Sequence, residues 1–242
     1  MNGDTLLDTS IQGHISTNSN KEVINKWRND VQRSLGSLDL SFVHKQKISV
    51  ERNKKIVDYC FKKSELILPI SKYLEKETRK RYPHKDIQIF PADGRNPDEW
   101  KKIKSKKLKH PCVGLIQGLN VWGKTRELLT LNKVLKKMPG VTFYLAGDGI
   151  YNKQIIPELS KNKNFVWLKN LEYPNEIKKL FSEVDIFLLL SGLEGLGQTI
   201  IESLLMKKPT IATNVGGIPE LMKDGETGFL IEKDNPEKLF EK

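Results

Sequence analysis

Between residues 113 and 223 the chain alternates short, almost unbroken apolar runs with longer amphipathic stretches. Val113–Gln117, Val141–Ala146, Phe165–Leu168, Asp185–Leu190 and Thr210–Thr213 read as strands. They are too apolar to have one wet face, which predicts a parallel sheet covered on both sides. Arg126–Lys137, Asn152–Leu159, Asn175–Phe181, a stretch starting at Gln198, and a short Ile218–Lys223 carry apolar residues at helical spacing. In such an alternation ligands bind beyond the carboxyl ends of the strands, where Gly118, Gly147, Glu194 and Gly216 fall, so these four residues are expected to line one crevice.

The first 110 residues have a different texture. Helical patterns over Glu22–Ser34 and Ile48–Lys63 precede a strand at Glu65–Ser71. Ser71 is then the expected N-cap of a helix over Lys72–Arg81, and Ile87–Gly94 is a further strand and turn. We place the boundary at the basic stretch, giving units 1–108 and 109–242.

The densest chemistry lies in Ser191-Gly-Leu-Glu-Gly-Leu-Gly-Gln-Thr-Ile-Ile-Glu202. A glycine-flanked turn runs straight into a helix, whose first amides and positive dipole end face any anion in front of them. Gly195, Leu196, Gly197, Gln198 and Thr199 are therefore candidate phosphate-binding residues. Helical spacing puts Ile200 and Leu204 on one face and Gln198 and Glu202 on the other, so Glu202 is expected on the polar face beside the anion, with Glu194 on the loop before it. An acid near a phosphate-binding helix end suits ribose or sugar hydroxyls.

Glu194-x7-Glu202, followed by Lys208-Pro-Thr-Ile-Ala-Thr-Asn-Val-Gly-Gly-Ile-Pro-Glu-Leu221 and Asp224-Gly-Glu-Thr-Gly-Phe-Leu230, resembles the C-terminal nucleotide-sugar domain of GT-B glycosyltransferases, most closely glycosyltransferase family 4. Phe143-Tyr-Leu-Ala-Gly-Asp-Gly149 and Val184-Asp-Ile-Phe-Leu-Leu-Leu-Ser191 resemble that family's strand–turn units, and the likeness runs from about residue 112 to 239. It implies an α/β fold of GT-B type: a Rossmann-like donor domain, with residues 1–108 as a remnant of the acceptor domain, partial at both ends. It also implies transfer of a sugar from a UDP-, GDP- or ADP-sugar to a glycan or lipid-linked acceptor, with retention of configuration and no obligatory cofactor. Carried over residue by residue, Lys124 and the helix start would hold the diphosphate. Gly118, Gly147 and Asp148 would line the site, Glu202 would take the ribose, and Glu194 the donor sugar. His14 would be the acceptor-side histidine near that sugar. Leu119 stands where relatives carry an arginine, and Lys169-Asn170 where they usually have a glycine.

Gly118-Leu-Asn-Val-Trp-Gly-Lys-Thr125 also matches the G-x4-G-K-[ST] loop of ATP- and GTP-binding proteins, with Lys124 on the phosphates and Thr125 on Mg²⁺. Against that stand the bulky Trp122 and the lack of an acid ending an apolar strand. A third class is a binder of nucleotide sugar that transfers nothing.

Charge and cysteine content refine this. With 41 Lys+Arg against 30 Asp+Glu the net charge is +11, densest at Lys101-Lys-Ile-Lys-Ser-Lys-Lys-Leu-Lys109. Such a run reads first as a solvated linker; of the functional alternatives, single-stranded nucleic acid lacks its interleaved aromatics here, and contact with an anionic membrane surface fits better. No apolar run approaches the roughly 18–20 residues of a membrane span, and the amino-terminal residues lack a secretory pattern. Cys60 and Cys112 are too few for a disulfide framework, and no Cys/His cluster has the spacing of a zinc site. These features point to a cytoplasmic protein, peripheral to the inner membrane face where it meets a lipid-linked acceptor, with no metal ligands assigned.

Overall fold

A computed structural model describes residues 55–90 and 94–242. His14 and the Glu22–Ser34 helix lie outside the described residues, as do the start of the Ile48–Lys63 helix and residues 91–93 of the Ile87–Gly94 segment. The described chain opens with helix α1 (residues 55–63). Strand β1 (Leu66–Ile67), α2 (Lys72–Arg81) and β2 (Asp86–Ile87) follow. β1 and β2 pair in parallel as a two-stranded sheet. The pairing continues as single bonds, Gln88 N–H to Ile67 O and Phe90 N–H to Pro69 O. The strand expected over Glu65–Ser71 is cut to two residues because Pro69 has no N–H to give to a ladder.

Six strands build the main sheet: β3 (Cys112–Ile116), β4 (Thr142–Ala146), β5 (Phe165–Lys169), β6 (Ile186–Leu189), β7 (Thr210–Thr213) and β8 (Phe229–Ile231). All run parallel, in the order β5-β4-β3-β6-β7-β8. Between them lie α3 (Trp122–Thr125), α4 (Leu131–Lys137), α5 (Asn152–Leu159), α6 (Asn175–Glu183) and α7 (Gln198–Leu205), with α8 (Pro236–Glu241) last. Both faces of the sheet are covered. In β6, Phe187 and Leu189 enter a core with Phe181, Ile200 and Ile218, while Leu188 packs on the opposite face with Leu115, Leu128 and Ile155. Period-two alternation with apolar residues on both sides explains why these strands read as unbroken apolar runs. From β3 the chain steps outward to β4 and β5, then returns to place β6 on β3's other side. That reversal opens a crevice between the loops after β3 and β6.

Three expectations change. The helix expected over Arg126–Lys137 is a 3₁₀ turn over Arg126–Thr130 followed by α4, and the short α3 precedes it. The turn holds the buried carboxylate of Glu127, which accepts the Asp234 N–H at 2.6 Å. Ile218–Lys223 is only a 3₁₀ turn over Ile218–Glu220, with Pro219 at its start and the chain turning again at Gly225. The sequence reading also stopped short of β8 and α8, although Asn235-Pro236 is an N-cap followed by Pro at the first helical position.

Ser71 caps α2 as expected: its Oγ accepts the Leu74 N–H at 3.1 Å. The same hydroxyl donates to the carbonyl of Gly195 at 2.7 Å, and the Glu220 carboxylate accepts the Lys72 and Tyr73 N–H groups at 2.9 and 2.8 Å. The positive end of α2 is thereby tied to the loop before α7 and to the turn after β7. Ser71→Ala removes a cap and leaves a buried carbonyl without its donor, so it should lower unfolding stability by about 1–2 kcal/mol. Chemical denaturation measures this; a change under about 0.5 kcal/mol would show that the bridge does not hold these segments together.

Candidate functional site

The loop after β3 runs into α3, and the loop after β6 into α7. They touch backbone to backbone: Gly192 N–H donates to Lys124 O at 3.2 Å, and a β-carbon at Gly192 would lie 2.2 Å from Gly123 O. Gln117 Nε2 holds the same Lys124 carbonyl at 3.1 Å. This close approach carries the Lys124 ammonium to 2.5 Å from Glu194 Oε1. Glu194 is buried while Lys124 keeps about a quarter of its side chain exposed, so the cation stays reachable from the crevice.

The turn after β4 closes one side. Gly147 follows Gln117 so closely that a β-carbon there would sit 2.0 Å from its carbonyl oxygen. Leu119 N–H donates to Asp148 O at 3.0 Å. The Asp148 carboxylate accepts Gly149 N–H and Asn152 Nδ2, both at 2.7 Å, and so shapes the turn into α5. On the other side Gly216, with φ of +58°, lies against Glu194: a β-carbon would meet its carbonyl oxygen at 1.7 Å, and Gly217 N–H donates to that oxygen at 3.2 Å. Only glycine combines that left-handed conformation with such contact. The structure thus brings together Gly118, Gly147, Asp148, Lys124, Glu194 and Gly216, as the positions of their strands predict.

Gly195, Leu196 and Gly197 form the buried approach to α7. Gly197 is its N-cap in a left-handed conformation, with no side chain bonding the first amides. Gln198 and Thr199 open the helix. Glu202, one turn on, departs from expectation: the face that is polar in sequence is covered, leaving the residue 3% exposed. Its Oε1 accepts from Arg95 Nε at 3.0 Å and from the Tyr173 hydroxyl at 3.2 Å. Arg95 also donates to Gln198 Oε1 at 3.2 Å, its guanidinium 5.9 Å from the Tyr173 ring centre. Burial pushes the Glu202 carboxyl above its usual range, with Arg95 and Tyr173 pulling the other way. Burial and then the neighbouring Glu202 raise the Tyr173 hydroxyl in turn. Sequence reasoning missed Arg95 and Tyr173. Arg95 directly follows the Ile87–Gly94 strand and turn, and nothing in that stretch shows what it meets 107 residues later.

Leu119 is fully buried in the core, so no charge can replace the arginine of relatives at that position; Arg126 lies exposed nearby in sequence. Thr125 is also fully buried, its hydroxyl directed to Gly118 O at 3.5 Å, so it does not face a metal ion as a phosphate-loop threonine would. Lys169 sits at φ +59°, a left-handed conformation that favours glycine.

The family model for glycosyl transferases group 1 matches residues 97–242. The chain belongs to the glycosyl transferases group 1. An uncharacterised glycosyltransferase of Methanocaldococcus jannaschii is 32% identical to this group 1 chain over 192 residues, covering 76% of the chain and 50% of the relative. The trehalose synthase of Pyrococcus horikoshii is 29% identical over 136 residues, covering 52% and 33%. The chain therefore spans half or less of the length of these curated relatives. Among solved structures, Anabaena HepE in complex with UDP and glucose superposes with a TM-score of 0.65 at 20% identity, over 78% of this chain and 55% of that one. A Rickettsia africae glycosyltransferase gives 0.63 at 21%, over 73% and 52%. At these identities the likeness establishes the GT-B α/β fold, and the function of the crevice rests on its own residues.

Proposed function

We propose that the crevice binds a nucleotide diphosphate sugar and serves a retaining transfer of the family 4 type. The observation that carries this reading is the Lys124–Glu194 pair, fixed at the mouth of the β3–β6 crossover beside the uncapped start of α7. A cation and a set of helix amides converge where a departing diphosphate gains charge, a preorganised electrostatic device. Lys124 has three donor protons, so it can keep one on Glu194 and offer the others to phosphate. Glu194 orients the donor sugar while steadying the lysine. Glu202 takes the ribose hydroxyls, exchanging them for Arg95 and Tyr173. The acceptor hydroxyl passes its proton to the leaving phosphate on the same face of the sugar, so no separate base is assigned. Anabaena HepE, which shares the fold, forms a complex with UDP and glucose, which supports such a donor.

The acceptor proposed is a glycan or a lipid-linked sugar. Lys101, Lys102, Lys104, Lys106, Lys107 and Lys109 form a basic stretch able to meet anionic lipid on the cytoplasmic side. Residues 1–108 are proposed as acceptor-side structure and 109–242 as the donor domain.

Titration calorimetry with UDP, GDP, ADP and ATP, each with and without Mg²⁺, tests the reading. One nucleoside diphosphate should bind without metal, and its identity names the base. Binding only by a triphosphate with Mg²⁺ would instead support the phosphate-loop alternative. With the donor known, the anomeric configuration of product or hydrolysed sugar, read by nuclear magnetic resonance, tests retention.

A further inference from the structure

At the amino-terminal end of the central strands, where β3 and β6 begin, three residues of different chemistry meet away from the crevice. Cys112 opens β3, His110 lies two residues before it, and Asp185 immediately precedes β6. His110 Nδ1 is 2.9 Å and 3.1 Å from the two Asp185 oxygens and 3.6 Å from Cys112 Sγ. The three ligand atoms all lie within 4.8 Å of one another. We propose that His110, Cys112 and Asp185 bind a zinc-like divalent cation that clamps the start of β3 to the start of β6.

The two separations from His110 Nδ1 suit such an ion. Zn–S of about 2.3 Å and Zn–N of about 2.05 Å set sulfur and nitrogen about 3.6 Å apart at a tetrahedral centre. Nitrogen and oxygen on the same ion stand about 3.3 Å apart, so the His110–Asp185 contact has to open by only a few tenths of an ångström. A thiolate, an imidazole and a carboxylate select zinc or cobalt, since magnesium and calcium avoid sulfur. On binding, the Cys112 thiol gives its proton to solvent. Thiolate and carboxylate then balance a dication, which matters because Lys102, Lys107, Lys207 and Lys208 line the same cavity. His110 and Asp185 face that cavity of about 290 Å³, which leaves room for water as a fourth ligand.

Glu183 supplies an independent sign. Its Oε2 is buried without a hydrogen bond, 3.6 Å from Lys107 Nζ and 3.9 Å from His110 Nε2. Metal-bound histidines characteristically donate their other N–H to a carboxylate, which frees the first nitrogen for the ion. Glu183 is near enough to become that partner after a movement of about 1 Å, with Lys107 on its other side.

The probe is Co²⁺ added to the metal-stripped full chain, followed by displacement with Zn²⁺. One equivalent should give tetrahedral cobalt bands and a thiolate-to-cobalt charge-transfer band. Cys60→Ser should keep both. Cys112→Ser should lose the charge-transfer band. His110→Ala, at an exposed position that does not endanger folding, should weaken Co²⁺ binding at least tenfold, and Glu183→Gln about tenfold. Nucleotide binding should be unchanged in His110→Ala, which separates this site from the crevice. Absence of a thiolate band in the wild type, its persistence in Cys112→Ser, its loss in Cys60→Ser, or wild-type affinity in His110→Ala would each overturn the proposal.

Discussion

Lys124→Ala should weaken nucleoside diphosphate binding by roughly ten- to a hundredfold, equally with and without Mg²⁺. The estimate follows from one lost charge-assisted contact worth about 1.5–3 kcal/mol. The same substitution should also lower stability, because it strands the Glu194 carboxylate, 6% exposed and held 2.5 Å from the ammonium. Removing one partner of a fully enclosed pair costs about 3–5 kcal/mol. Lys124 keeps 23% of its side chain in water, so about 1–3 kcal/mol is expected here. The two losses separate in a double variant. Lys124→Met with Glu194→Gln removes both charges, so stability should return toward wild type while affinity stays low. Calorimetry and chemical denaturation of the three proteins decide the matter. An unchanged dissociation constant for Lys124→Ala would remove the lysine from the donor site, and a loss confined to Mg-triphosphate would reassign the whole loop.

The sheet was legible because its strands are buried on both faces: Leu115, Phe143, Phe187 and Leu188 leave no polar alternation to misread. The crevice was legible because its glycines are demanded by backbone contact. Gly147 against Gln117 and Gly216 against Glu194 leave no room for a side chain, so the motif records the geometry directly. Side-chain partnerships across long stretches of sequence were not. Glu202 has the helical phase of a solvated residue, yet Arg95 from the stretch before β3 and Tyr173 from the turn before α6 cover it. Periodicity registers polarity, and a buried carboxylate with two donors looks the same in sequence as a wet one. Glu220 was likewise visible as part of a motif, while its role on the first amides of α2, 148 residues away in sequence, was not. The broken helix at Arg126–Thr130 has the same origin, since Glu127 is held by a backbone amide far along the chain.

That enclosure of Glu202 gives the second large effect. Glu202→Ala should weaken nucleoside diphosphate binding about ten- to a hundredfold, because a ribose diol loses its one carboxylate acceptor. Arg95 keeps 18% of its side chain exposed and its bond to Gln198 Oε1, so the variant strands no fully buried charge and should remain folded. Glu202→Gln carries the pH test. Burial raises the carboxyl above its unfolded value near 4.3, so between the two values the native protein holds a proton that the unfolded chain has released. Stability contributed by this residue therefore falls as pH rises through that window. Relative to wild type, Glu202→Gln should gain stability as pH climbs across it and show a constant difference above it. Taking the difference between the two proteins cancels the similar contribution of Glu127, whose carboxyl burial also raises. Affinity should move in the opposite sense, because ribose hydroxyls require the carboxylate: wild-type binding should strengthen as pH rises through the same window and Glu202→Gln should stay flat. A wild-type affinity that ignores this window, or a dissociation constant unchanged in Glu202→Ala, would mean that the Arg95–Glu202–Tyr173 cluster is a structural clasp and that the ribose is held elsewhere.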